Sequence, residues 1–194
     1  MRRIIGITGG IGSGKSFESR VLAARLAVPV YDCDSHAKRL MNTNAELRRK
    51  LVELIGPEAY DADGTLCRSA VAAYLFADAR HAAQVNALVH PAVRADILRW
   101  ADGQKADTVA VETAILIESG LDKLVDEVLF VEASEDTRLT RAMQRDAADA
   151  GKIRARMARQ LTGEARNLAT WVVRNEEGET EESIYKQIKD LGIC

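Results

Sequence analysis

Three observations predict an α/β fold built on a parallel sheet with helices on both faces. The segment Gly9-Gly10-Ile11-Gly12-Ser13-Gly14-Lys15-Ser16 is a GxxxxGKS loop between an apolar run and a helix-compatible stretch. Short β-rich runs alternate with longer segments of helical periodicity along the rest of the chain. The 194 residues, 47% hydrophobic and 29% charged, suffice for one sizeable core with a small inserted lobe.

Taken in order, residues 3–8 form the first predicted strand, ending at the glycine loop. Phe17, Val21, Leu22, Ala24 and Leu26 have helical spacing, and the chain returns at Val28-Pro29-Val30-Tyr31, the second strand. From 35 to 103 strand signals are scarce and patterns such as Ala37–Met41 and Val93–Leu98 predict a helical insertion. Asp61-Ala62-Asp63-Gly64 is a turn within it. Its DxxG spelling is not read as a GTPase motif, because no strand leads into it and no NKxD follows. His90 precedes Pro91, which biases it to an extended, hydrogen-bonded structural position at the edge of the insertion. Thr108–Val111, Glu127–Val131 and Trp171–Val173 complete five strands, and Asn175-Glu176-Glu177-Gly178 reads as a turn beyond the last, where contact with a nucleotide base is possible. Residues 1–34 and 104–194 thus make one core, and 35–103 a second domain.

Composition narrows the function. A net charge of −2 and a pI near 6.0 argue against general nucleic-acid binding, since no excess of Lys and Arg exists to displace counterions. Cys33, Cys67 and Cys194 lack CxxC or metal-ligand spacing and read as thiols of a reducing cytoplasm. The apolar run after Met1-Arg2-Arg3 breaks at once into the glycine loop, so neither a signal peptide nor a membrane span is expected.

The loop itself points to a nucleotide triphosphate. Its glycines let successive N–H groups turn inward, and the helix that follows aims its positive end at the same anion. Lys15 suits the β- and γ-phosphates and the Ser16 hydroxyl suits Mg²⁺. Asp32-Cys33-Asp34 falls at the carboxyl end of the second strand, where ligands of open α/β sheets bind. One carboxylate there can take a proton from an attacking hydroxyl; equally, Asp34 or Ser35 can cap the next helix. Arg138, Arg141 and Arg145 share one helix face, with Arg154, Arg156 and Arg159 beyond, which suits either a solvated face or a lid that brings cations to phosphates.

Together, Gly6-Ile7-Thr8 and the loop, Asp32-Cys33-Asp34, Asn86-Ala87-Leu88-Val89-His90-Pro91 and Arg141-Ala142-Met143-Gln144-Arg145-Asp146 resemble the dephospho-CoA kinase family nearly from end to end. The resemblance implies a five-stranded parallel P-loop kinase core with helices on both faces, a helical acceptor-binding insertion over 35–103 and a lid over 141–160. It implies transfer of the ATP γ-phosphate to the ribose 3′-hydroxyl of dephospho-CoA, with Mg²⁺. By that resemblance Asp34 is the base, and Lys15, Arg141 and Arg145 serve the transferring phosphoryl. Gly10, Ile11, Gly12, Ser13, Gly14, Lys15, Ser16, Phe17, Arg145 and Asn175 hold the nucleotide. Asp32, Lys38, Arg39 and His90 hold the acceptor. Phe17 stands where the family commonly has Thr, losing a hydroxyl while leaving its N–H available, and Lys38 stands where Arg is typical. Another P-loop small-molecule kinase, or a nucleotide-dependent switch, remains the alternative.

Overall fold

The run before the glycine loop is β1 (Arg3–Thr8), buried at every residue after Arg3, as a strand covered on both faces requires. A computed structural model describes residues 2–193. In it β1 is the central strand of five among the described residues, with β2 (Val30–Asp32), β3 (Thr108–Glu112), β4 (Glu127–Glu132) and β5 (Trp171–Arg174) in the order β2-β3-β1-β4-β5. All pairings are parallel. The second strand starts at Val30 and not at Val28, because Pro29 has no N–H to donate; only its carbonyl joins the ladder, accepting from Ala110 N at 2.8 Å. β2 lies at the sheet edge, where that loss is tolerated.

The chain forms two compact units, one ending at Asp32 and resuming at Ala101, the other spanning Cys33–Trp100. In the first, α1 (Lys15–Leu26) and α9 (Glu181–Asp190) pack on the sheet. Ile5, Ile7, Val21, Leu22, Leu129, Val131, Val173, Ile184 and Ile188 make one buried cluster there. Thr180 starts α9 with a capping box, its hydroxyl accepting from Ser183 N and the Ser183 hydroxyl accepting in return. Helices α6 (Glu135–Asp146), α7 (Ala150–Met157) and α8 (Thr162–Asn167) connect β4 to β5.

The second unit comprises α2 (Cys33–Thr43), α3 (Ala45–Ile55), α4 (Arg68–Ala77) and most of α5 (Ala79–Gly103). Asn44 caps α3, accepting from Leu47 N at 2.9 Å. The predicted turn at 61–64 is present: Gly64 has φ 81°, and its N–H donates to the Asp61 carbonyl at 2.8 Å. His90 departs from expectation, for it and Pro91 lie inside α5 and not in an extended segment. Val85, Val89, Val93 and Ile97 recur every four residues and are all buried. Burying that stripe contributes about 1.5–3 kcal/mol per side chain, against about 3 kcal/mol for an interior proline, so the helix continues. Cys33 is buried and Cys67 half-buried; Cys194 lies outside the described residues.

Candidate active site

The glycine loop joins the carboxyl end of β1 to α1, which begins at Lys15 directly after Gly14. Gly12 has φ 79° and faces the Arg138 carbonyl of α6, into which any Cβ would run. The Lys15 ammonium bends back over the loop, donating to the carbonyls of Gly9 at 3.0 Å and Gly10 at 3.1 Å. Ile11 N donates to Gln160 Oε1 at 2.8 Å, while Gln160 Nε2 donates to the Ala114 carbonyl at 2.8 Å. Phe17 differs from the expectation of an available N–H: it donates to the Gly14 carbonyl at 2.7 Å, closing the first turn of α1. Its ring packs on the sheet cluster, with the Arg20 guanidinium over its outer face.

Sheet register brings a carboxylate to the loop. Glu112, the last residue of β3, pairs with Ile7 of β1 on one side and Asp32 of β2 on the other. Glu112 is 9% exposed, and Ser16 Oγ donates to its Oε1 at 2.6 Å. A hydroxyl and a carboxylate this close are the hard oxygen donors that Mg²⁺ takes from a protein when phosphates and waters complete its shell. Among the described residues no group of three or more His, Cys, Asp or Glu could hold a metal ion.

Beneath the loop lies Glu18, fully buried on α1. Asn175, just past β5, donates its amide to both carboxyl oxygens at 3.0 and 3.2 Å. Arg141 of α6 donates to the Asn175 carbonyl at 2.9 Å, to Asn175 Oδ1 at 3.2 Å and to the Glu176 carbonyl at 2.9 Å. The expected phosphoryl clamp therefore has its terminal nitrogens committed to the turn after β5. Arg141 also lines a cavity of about 310 Å³ with Asp136, Thr137, Thr140, Gln144 and Glu177. Asn175 is 4% exposed and held between two partners, so its side chain is a brace and not the surface contact to a base expected from the turn.

Burial pushes the Glu18 carboxyl from 4.5 up to about 8, against the opposing pull of its own backbone N–H, the Asn175 amide and the charges of Arg141 and Lys15. The folded state thus binds this proton more tightly than the unfolded state. Its contribution to stability is whole below about pH 4.5 and is lost as pH rises to about 8. Metal- and nucleotide-free protein should lose stability over that window relative to Glu18→Gln, by up to ~1.4 kcal/mol per pH unit. Urea unfolding of the two at about pH 5 and about pH 8 measures the difference, and parallel losses in both would refute it.

The remaining candidates belong to the helical unit. α2 begins at Cys33, so Asp34 stands exposed in its first turn, and neither Asp34 nor Ser35 is the cap; Asp32 flanks the helix instead. On the same helix Arg39 Nη2 donates to Asp96 Oδ2 of α5 at 2.6 Å, and His36 Nδ1 lies 3.4 Å from the same oxygen. Arg99 adds a contact to Asp96 Oδ1 at 3.3 Å. Lys38 is exposed. His90 is half-buried, and burial together with the Arg94 charge lowers its pKa, favouring the neutral ring.

A family model described as dephospho-CoA kinase matches residues 3–181. The chain belongs to the dephospho-CoA kinase family. It is 45% identical over 156 residues to the dephospho-CoA kinase of Porphyromonas gingivalis, covering 80% of this chain and 76% of that protein. To the dephospho-CoA kinase of Bacteroides fragilis it is 38% identical over 189 residues, 96% of this chain and 90% of the other. Among solved structures, TT1252 from Thermus thermophilus superposes with a TM-score of 0.81 at 31% identity, over 99% of this chain and 96% of that one.

In this dephospho-CoA kinase family member the arginine face divides its labour. Arg138 presses on Gly10, where a Cβ would collide with its guanidinium, and Arg141 braces the turn after β5. Arg145 donates to Asp146 at 2.7 Å; Arg156 of α7 reaches the same carboxylate, which these pairings hold well below the usual range. Leu139, Ala142 and Ile153 join α6 to α7, with Ile11 of the loop packed against them. Three residues of this site escaped the sequence reading. Glu112 carried a signal, an acid ending an apolar strand; Glu18 and Gln160 carried none, because Asn175 lies 157 residues from the one and Ile11 149 residues from the other.

Proposed function

We propose that the protein transfers the γ-phosphoryl group of ATP to the ribose 3′-hydroxyl of dephospho-CoA, giving coenzyme A and ADP. The family match over residues 3–181 carries this reading. Lys15 neutralises the β- and γ-phosphates, and the Gly10–Ser16 backbone holds them. Ser16 and Glu112 would hold Mg²⁺ through their side-chain oxygens, and the ion would supply positive charge to offset that of the phosphates. Arg141, braced by Asn175, holds the nucleoside end, with the cavity between α6 and Glu177 receiving the base. Asp34 accepts the proton of the 3′-hydroxyl. The helical unit, through Lys38, Arg39 and His90, together with Asp32, holds the acceptor. Residues 141–160 act as a lid, with Arg145 turning to the phosphoryl group as Asp146 releases it. The reaction belongs in the cytoplasm, where ATP is supplied; among the described residues no helix is long and apolar enough to cross a membrane.

Incubation with ATP, Mg²⁺ and dephospho-CoA should yield coenzyme A, read by mass. Unmodified dephospho-CoA alongside a phosphorylated nucleoside or shikimate would overturn the assignment. In the same assay Glu112→Ala should raise the Mg²⁺ concentration for half-maximal rate roughly tenfold. An unaltered Mg²⁺ requirement would remove Glu112 from the metal site.

A further inference from the structure

We infer that Glu18 is a positioning residue for nucleotide binding, setting the Arg141 guanidinium against the glycine loop through the side chain of Asn175. The inference rests on the proposed placement of the nucleoside beside Arg141.

Three observations carry it. A guanidinium offers only donors, so Arg141 takes the Asn175 side-chain oxygen and the NH₂ turns to the opposite side, where the Glu18 carboxyl oxygens accept from it. Nor can another side chain intervene between this amide and the loop. Gly14 has φ 96°, and a Cβ there would collide with Asn175 Nδ2 and lie 3.5 Å from Arg141 Nη1. Finally, Glu18 is fully buried on the sheet-facing side of α1, among Ser19, Val21 and Leu22, where an apolar residue would avoid the desolvation cost of a polar group. Its hydrogen bonds lead to the nucleotide end of the site.

Two replacements separate orientation from volume. Glu18→Gln keeps an acceptor facing the amide, and Glu18→Met keeps length and burial without one. AMP-PNP binding, measured calorimetrically without acceptor, should weaken roughly tenfold in Glu18→Met, about the worth of one buried hydrogen bond, and return to within about twofold of the parent in Glu18→Gln. KM for ATP should rise by the same factor while KM for dephospho-CoA stays constant; a merely structural role would lower the active fraction and leave both KM values alone. Arg141→Ala serves as the benchmark and should lose AMP-PNP affinity at least as far. A folded Glu18→Met protein binding AMP-PNP as the parent does would overturn the inference. Should Glu18→Met fail to fold, the parent protein labelled with ¹⁵N-asparagine decides: the Asn175 side-chain amide should exchange its hydrogens slowly, and exchange at the rate of an exposed asparagine refutes the brace. Because AMP-PNP binding needs no acceptor, these outcomes are independent of whether dephospho-CoA is the substrate.

Discussion

Lys15→Ala lowers kcat/KM for ATP on the order of 10³-fold, with most of the loss in kcat. The ammonium folds back over the loop's own carbonyls, at 3.0 and 3.1 Å from Gly9 and Gly10. In phosphoryl transfer charge spreads onto the phosphoryl oxygens as the transition state forms, so a fixed positive charge there is worth more to the transition state than to bound ATP. The half-buried side chain covers little apolar surface, so the melting temperature should shift by only a few degrees. Stopped-flow or coupled assays at saturating ATP separate the effects. If only KM for ATP changed, Lys15 would be a ground-state binder and the electrostatic account would fail.

Asp34→Asn lowers kcat by roughly 10²- to 10⁴-fold while ATP affinity holds within about twofold. Asparagine preserves shape and one acceptor oxygen but cannot take a proton. Asp34 is exposed in the first turn of α2, where it is not the cap and where a carboxylate interacts favourably with the helix dipole by about 0.3–1 kcal/mol; a melting curve of the variant separates any loss of stability from loss of turnover. A large kinetic loss in a normally stable protein therefore reports proton transfer. Parent-like turnover in this variant would rule out Asp34 as the base and leave its role at the helix terminus.

Much of the fold was legible because it is written in short windows. The run at 3–8, the loop and the helix after it follow from period and backbone stereochemistry, and each appears where the residues indicate. The turn at 61–64 was equally local. His90 was misread because the Pro91 rule is also local, whereas α5 is decided by a stripe of four buried apolar side chains distributed over three turns. Phe17 was misread for a related reason: its N–H belongs to the first turn of α1, which the loop's left-handed Gly14 starts one residue earlier than a free amide would need.

The fold class, the phosphate loop with Lys15 and Ser16, and the motif series that marks the dephospho-CoA kinase family are all readable from the residues in order. Those depend on neighbours within a few residues, or on motifs spelled out in order. Folding is what brings Ser16 to Glu112, 96 residues away, and Glu18 to Asn175, 157 residues away. Both pairings arise from the parallel register of β1 with β3 and β4, and of β4 with β5, which aligns strand ends from distant parts of the chain. Register is set by the burial of whole strands against one another, so no local stretch of sequence contains it.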